Sequence, residues 1–101
     1  MDALEYCQQL KIETTTLSVW VEQRWIIPLA DGETQLYHDA DIARGRLILD
    51  LIDQMGVNEN GVDVVMALID QVHGLRGKLQ ALTDAVRDQD YDVQRRIISK
   101  L

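Results

Sequence analysis

The sequence predicts a mainly α-helical fold: a helix-turn-helix with a small two-stranded wing, followed by a long C-terminal dimerisation helix. Two short amphipathic segments flank the polar turn KIETTT, which indicates a pair of helices across a tight turn. A proline and an Asp-Gly dipeptide follow, which is typical of a short hairpin. From Val65 to Val86, apolar residues recur at alternating spacings of three and four, which predicts one long helix with a coiled-coil seam.

The first helix is predicted over residues 2–10. Asp2 precedes Glu5 by three residues, a variant of the capping box that marks helix starts. Leu4, Cys7 and Leu10 fall on one face and make this a short amphipathic helix. Cys7 is therefore interpreted as a buried, inert thiol.

The second helix takes its apolar stripe from Leu17, Trp20 and Val21. Trp20 is in phase with this stripe and is interpreted as a core residue. Trp25 lies at the helix end beside two isoleucines, and two interpretations of it stay open. It is either a core residue or an exposed anchor for a partner.

The wing is predicted after Pro28, because proline cannot lie inside the second helix. Asp31 and Gly32 form a dipeptide that is favoured in two-residue hairpin turns. We therefore predict wing strands at residues 26–29 and 34–37, with the turn centred on Asp31 and Gly32.

A third helix follows the wing, and apolar residues on two adjacent faces indicate that a wide surface of it is buried. These residues are Ile42, Leu49 and Ile52 on one face and Ile48, Leu51 and Met55 on the other. Gly56 comes next and is a suitable C-cap.

The long fourth helix changes character along its length. Val62, Met66 and Ile69 add a second apolar row to its first half, which predicts that this half packs on the N-terminal module. The narrower half predicts a homodimer, because no other segment is long enough to cover its seam. The predicted seam residues are Leu68, Val72, Leu75, Leu79, Leu82 and Val86. In the alternative, the seam packs on the chain's own tail and the protein is monomeric.

These patterns divide the chain into three parts. Residues 1–60 form the winged helix-turn-helix module, residues 61–89 form the long helix of the same domain, and residues 90–101 form a C-terminal tail. The tail is predicted to add one or two helical turns through Val93, Ile97 and Leu101.

Composition excludes several classes of function. There is no apolar run of membrane-spanning length and no signal-peptide pattern at the N-terminus, so we expect a cytoplasmic protein with no membrane contact. One cysteine and two distant histidines predict neither a metal site nor a cofactor. Ser18 and Ser99 have no neighbouring His-acid pattern, and no glycine-rich phosphate loop is present, so no enzymatic activity is expected.

The negative charge is concentrated in the N-terminal module. The net charge is −7, and residues 1–60 hold eleven acids against four bases, whereas the remaining residues hold six of each. An acidic module repels duplex DNA, since non-specific affinity for DNA depends on Lys and Arg at the phosphates. Direct DNA binding is therefore not expected.

Two stretches resemble one known family. The order of elements is that of MerR-like winged-helix proteins, and TLSVWVEQRWIIPL with LYHDADIARGRLILDLIDQMGVNENGVDVVMALIDQVHGLRGKLQAL resembles the chaperone modulator CbpM family in particular. The pieces GVNENGV and ALIDQVHGLRGKL contribute most, because generic helix composition does not explain them. The resemblance covers most of the chain, although the basic residues usual in the wing of DNA-binding relatives are missing.

That resemblance implies a small dimeric protein that binds the J-domain of a CbpA/DnaJ-like co-chaperone and inhibits its activity. J-domains typically present a basic helix, which an acidic module complements. The residues hypothesised to bind this partner are Glu22, Trp25, Asp31, Glu33, Asp39, Asp50 and Asp53. The alternative is a MerR-like DNA-binding regulator that uses Arg24, Arg44 and Arg46, and a third possibility is a dimerisation module whose acidic face only aids solubility.

Overall fold

The computed structural model describes residues 1–101, and it divides into two compact units, Met1–Met66 and Ala67–Leu101. The predicted fold class is confirmed: the chain is mainly helical and has one small two-stranded sheet. The elements in chain order are α1 (Ala3–Leu10), α2 (Thr14–Glu22), β1 (Leu29–Asp31), β2 (Thr34–Leu36), α3 (Asp39–Leu49), a π-helical segment (Asp50–Gln54), α4 (Glu59–Arg87) and α5 (Tyr91–Ser99).

Helix α1 begins at its predicted cap but turns a different face to the core. The Asp2 carboxylate accepts a hydrogen bond from the backbone N–H of Glu5 at 2.9 Å, which confirms the cap. The buried residues of α1 are Tyr6, Cys7 and Leu10, whereas Leu4 is 61% exposed. The prediction that Leu4 shares the buried face with Cys7 and Leu10 is therefore wrong. Tyr6 and Leu4 lie on opposite sides of Cys7 around the helix, and the core takes the side with Tyr6.

Tyr6 joins three parts of the first unit. Its hydroxyl donates to the backbone carbonyl of Asp41 in α3 at 2.6 Å. Its ring stacks on Tyr37, which follows β2, with the centroids 4.7 Å apart. The backbone N–H of Tyr37 in turn donates to the carbonyl of Met1 at 2.7 Å. The ends of α1, the wing and α3 are therefore held together around one buried aromatic pair.

Gly45 sets how closely α3 approaches α1 and α2. A Cβ placed on this residue would overlap the side chain of Leu10, lie 2.6 Å from the Tyr6 hydroxyl oxygen and lie 3.4 Å from the Trp20 ring. Only glycine leaves room for these neighbours at this helix crossing.

The wing exists, but its first strand starts later than predicted. β1 covers Leu29–Asp31 instead of residues 26–29, and Asp31 pairs with Thr34 across the antiparallel sheet. The two-residue turn is therefore Gly32 and Glu33, one position beyond the predicted centre. Gly32 has φ +65°, as the first turn residue of a type II′ hairpin requires. Ile26 is not part of the strand: its backbone N–H donates to the carbonyl of Trp20 at 3.4 Å, and its side chain is fully buried in the core.

Helix α3 ends in a π-helical segment that the sequence pattern did not predict. The N–H of Met55 donates to the carbonyl of Asp50 at 3.0 Å, five residues back, and Gly56 at φ +65° then ends the helix as expected. The wider turn rotates the residues after Asp50 away from their α-helical positions. Ile48 and Leu51 are buried as predicted, but Ile52 and Met55 are exposed.

Helix α4 is capped by Asn58, whose side-chain oxygen accepts a hydrogen bond from the N–H of Gly61 at 2.8 Å. Val62 and Met66 are buried within the first unit, as predicted for the broad half of this helix. In the second unit the predicted tail forms α5, and the Gln94 side chain donates to the carbonyls of Arg87 and Gln89. Gln94 thereby satisfies the last carbonyl of α4 and one carbonyl of the segment that joins α4 to α5.

Candidate protein interface

The exposed side of α2 occupies the place of a reading helix in a helix-turn-helix. Leu17 and Trp20 are buried against the core, while Ser18, Val19 and Glu22 are exposed. The Ser18 hydroxyl donates to the carbonyl of Thr14 at 3.0 Å and so is satisfied within the helix. This side of α2 therefore presents an apolar side chain and a carboxylate as its most distinct exposed groups.

A cleft between α2 and the wing lies beside this surface. Its volume is about 340 Å³, and Val21 and Glu22 of α2 line it together with Gln35 of β2 and Tyr37. The structure thus places Glu22, one of the residues predicted to bind a partner, next to the wing. Sequence reasoning did not foresee the cleft, because α2 and β2 meet only in the folded module.

The charges on α2 and the wing are mostly negative. Between residues 13 and 37 the four acids Glu13, Glu22, Asp31 and Glu33 face a single base, Arg24, and all five are exposed. Arg24 has φ +62° and follows the end of α2, where the chain turns towards the wing. A duplex placed on this surface would meet one cation and four carboxylates.

Arg44 has a structural role that the sequence pattern did not indicate. Its Nε donates to the backbone carbonyl of Trp25 at 2.8 Å, and the residue is half-buried. The bond ties α3 to the loop after α2, nineteen residues earlier in the chain. Arg46, in contrast, is exposed. Of the three arginines predicted for DNA contact, Arg44 is thus engaged inside the module.

Trp25 is a core residue, which corrects its interpretation as an exposed anchor. It is only 3% exposed, and its indole N–H donates to the Asp63 carboxylate at 3.1 Å. Nearby, the side chain of Gln23 donates to Glu59 at 2.6 Å. Both bonds join the end of α2 to the start of α4, and their sequence separations of 36 and 38 explain why no local pattern revealed them.

The six acids predicted to bind a partner are all exposed, but they lie on several elements. Asp31 and Glu33 flank Gly32 at the wing tip, and Asp50 and Asp53 belong to the π-helical segment. The other two are Glu22 at the end of α2 and Asp39 at the start of α3. Only Glu22 and the wing-tip pair lie on the surface formed by α2 and the wing.

A family model described as MerR HTH family regulatory protein matches residues 1–84 of this chain. The chain belongs to this family. The match covers the whole winged module and most of α4. No curated protein and no solved structure matches the chain.

The seam of this MerR-family protein is uncovered in the single chain. Leu75 is 58% exposed and Leu79 is 63% exposed. Leu68, Val72 and Leu82 are likewise exposed, and Val86 is half-buried. The alternative in which the tail covers the seam does not describe this structure over residues 68–82. The predicted pairing of two copies stays a prediction.

The single thiol of this MerR-family protein, Cys7, is buried in the first unit. Cys7 is 3% exposed, and burial raises the pKa of its thiol above the ordinary value. A raised pKa keeps the sulfur protonated and unreactive, which agrees with the predicted inert thiol.

No group of three or more His, Cys, Asp or Glu side chains is placed to hold a metal ion. None of the helices combines the length and hydropathy of a membrane span.

Proposed function

We propose that this MerR-family protein is a non-enzymatic chaperone modulator. It binds the J-domain of a CbpA/DnaJ-like co-chaperone and inhibits the activity of that co-chaperone. The observation that carries this proposal is the charge of α2 and the wing, where Arg24 is the one base among four exposed acids. The resemblance of residues 16–29 and 36–82 to the CbpM family names the partner.

The charge pattern argues against DNA as the main ligand. Each phosphate that is neutralised needs a Lys or Arg, and the sequence-independent affinity for DNA is weak when such residues are few. Here α2 and the wing offer Arg24 alone, and Arg44 is already bound to a backbone carbonyl of the module. The same carboxylates that repel a duplex attract a basic protein surface.

The proposed mechanism is competition for one surface. A J-domain presents a basic helix to its chaperone ATPase, and a module bound there blocks the ATPase. The exposed carboxylates Glu22, Asp31 and Glu33 raise the association rate and select a basic partner. Buried apolar area must supply most of the remaining affinity. Trp25 is not available for this, so exposed apolar residues beside the acids, such as Leu29 of β1, take its place.

The test is calorimetric titration of the full chain with the J-domain of the CbpA-like co-chaperone from the same organism. We expect micromolar or tighter binding that weakens between low and high salt, and no heat with duplex DNA. A variant with Glu22→Gln and Glu33→Gln should bind more weakly, whereas Asp50→Asn with Asp53→Asn, on another element, is the matched control. Failure of the wild-type chain to bind the J-domain at low salt would contradict the proposal.

A DNA-binding regulator is the second candidate, and the family match is the observation that favours it. Its test is an operator shift with Arg24→Ala and Arg46→Ala, since both residues are exposed. Arg44→Ala is unsuitable because it also removes the hydrogen bond to the Trp25 carbonyl. A sequence-specific shift at physiological salt that both variants abolish would favour this candidate over the chaperone modulator.

A further inference from the structure

An apolar groove on the first unit lies between α2, the π-helical segment and the chain before α4. We call it the Trp groove, and it has a volume of about 380 Å³. Its lining includes Val19, Trp20, Trp25, Ile52, Val57 and Glu59. The two tryptophans are buried, while Val19 and Ile52 are partly open to solvent. The groove therefore offers apolar area on a rigid aromatic base.

One carboxylate lines the Trp groove, and two others adjoin residues of its lining. Glu59 belongs to its lining, and Asp63 lies one turn further along α4, bonded to the Trp25 indole. Asp53 follows Ile52 in the π-helical segment and is exposed. Arg44 is the nearby base, and its Nε is directed at the Trp25 carbonyl. An occupant of this groove should combine apolar anchors with a cation.

Helix α5 carries an exposed row of that composition. Tyr91, Arg95 and Ile98 are spaced i, i+4, i+7 and so share one face, which we call the α5 ridge. Tyr91 is 72% exposed and Ile98 is 62% exposed, and the Arg95 guanidinium lies 5.8 Å from the Tyr91 ring centroid. Residues 91–101 hold three bases against one acid, the opposite balance to the N-terminal module. Amphipathic helices bind apolar grooves through this spacing of anchors.

We infer that the α5 ridge of one copy docks in the Trp groove of a second copy, with Arg95 facing the Glu59 carboxylate. Tyr and Arg are enriched among the few residues that contribute most of the binding energy at protein interfaces. Exposed apolar side chains lie on both surfaces, Tyr91 and Ile98 on the ridge and Val19 and Ile52 at the groove. Two copies offer one ridge and one groove each, which allows a reciprocal, two-fold symmetric exchange.

The seam on α4 supports this assignment. The Trp groove includes the first residue of α4, and α5 begins four residues after the last, so copies that pair antiparallel through the seam hold each other's α5 near the groove at a high local concentration. A weak individual contact between ridge and groove then becomes well populated. The exchange would also place a second copy beside Val19, an exposed residue of α2.

The inference is tested by crosslinking between two cysteine variants of the full chain. One population carries Ile98→Cys and a size tag, and the other carries Val19→Cys; the native Cys7 is buried and protected. The matched control replaces Val19→Cys with Leu4→Cys, which is exposed on α1 and does not line the groove. After subunit exchange, a short bismaleimide should give about tenfold more mixed conjugate with Val19→Cys than with the control, because docking raises the local concentration.

Charge reversal adds a second readout. Arg95→Glu in the chain that carries Ile98→Cys should remove most of the excess conjugate. Adding Glu59→Arg to the chain that carries Val19→Cys should restore the excess conjugate. Equal yields with Val19→Cys and Leu4→Cys would overturn the inference. A conjugate formed within one chain that carries both Val19→Cys and Ile98→Cys, at a yield independent of concentration, would assign the groove to the chain's own α5 and overturn the second copy as occupant.

Discussion

Gly45→Ala is the substitution whose effect the structure defines most closely. Glycine at a helical position is usually improved by alanine, which has the higher helix propensity by about 1 kcal/mol. Here the added methyl group would meet Leu10, Tyr6 and Trp20, all of which are buried. Tyr6 has little freedom to move aside, because its hydroxyl is bonded to the Asp41 carbonyl at 2.6 Å. Local helix propensity therefore predicts that Gly45→Ala raises the free energy of unfolding, whereas packing predicts that it lowers it.

The magnitude follows from three contributions. Forcing one methyl group into a filled core costs about 1–3 kcal/mol. Displacing the Tyr6 hydroxyl from the Asp41 carbonyl costs about 1 kcal/mol more, while the better helix propensity offsets about 1 kcal/mol. We expect a net loss of about 1–3 kcal/mol in the free energy of unfolding. For a module of this size, Tm falls by roughly 4–8 °C for each kcal/mol.

Tryptophan emission during urea unfolding is the appropriate assay. Trp20 and Trp25 are the only tryptophans and both are buried in the first unit, so the signal reports this unit directly. The double variant Gly45→Ala with Tyr6→Phe should lose less stability than the two single variants added together, since removing the hydroxyl relieves part of the overlap. A Gly45→Ala chain as stable as the wild type, or more stable, would refute the packing argument.

The remaining predictions concern a titration, a buried hydrogen bond and the seam. Burial raises the pKa of Tyr6 above its ordinary 10.0, so the neutral form is favoured in the folded state. Stability should be fully present below pH 10 and fall above it, and Tyr6→Phe should flatten this dependence in urea titrations at alkaline pH. Asp63→Ala leaves the Trp25 indole N–H unpaired and should cost about 1–3 kcal/mol of unfolding free energy, whereas Asp63→Asn, which keeps an acceptor oxygen, should cost less; equal losses would contradict a role for this bond. Leu75→Lys with Leu79→Lys should dissociate a seam dimer and leave the first unit folded, with a cooperative urea transition in tryptophan emission; a dimer that persists in light scattering would refute the seam as the interface.

Short-range patterns predicted the elements because their causes are local. Asp2 caps α1 through the N–H of Glu5, only three residues away. Gly32 and Gly56 both adopt φ +65°, where other residues are strained, and mark the wing turn and the end of the third helix. Periodic apolar residues likewise placed Val62 and Met66 in the core. Each of these signals lies within a few residues of the structure it determines.

The candidate interface was only partly predictable. The excess of acids on α2 and the wing follows from composition along the chain, and exposure of Glu22, Asp31 and Glu33 agrees with it. The burial of Trp25 depends on Asp63, thirty-eight residues away. No periodicity within the segment 16–28 distinguishes an anchor for a partner from a core residue at such a position.

The amino-acid sequence by itself determined the mainly helical class, the wing, the long seam and the acidity of the N-terminal module. The tertiary structure decided which side of α1 faces inward, that Arg44 binds the Trp25 carbonyl, and that Gly45 is a point of close approach. Gly74 and Gly77 show the difference, since an added Cβ there meets nothing within 4 Å although they too lie in a helix. Helix formation depends on neighbours along the chain, whereas burial and close contact depend on residues that only folding brings together.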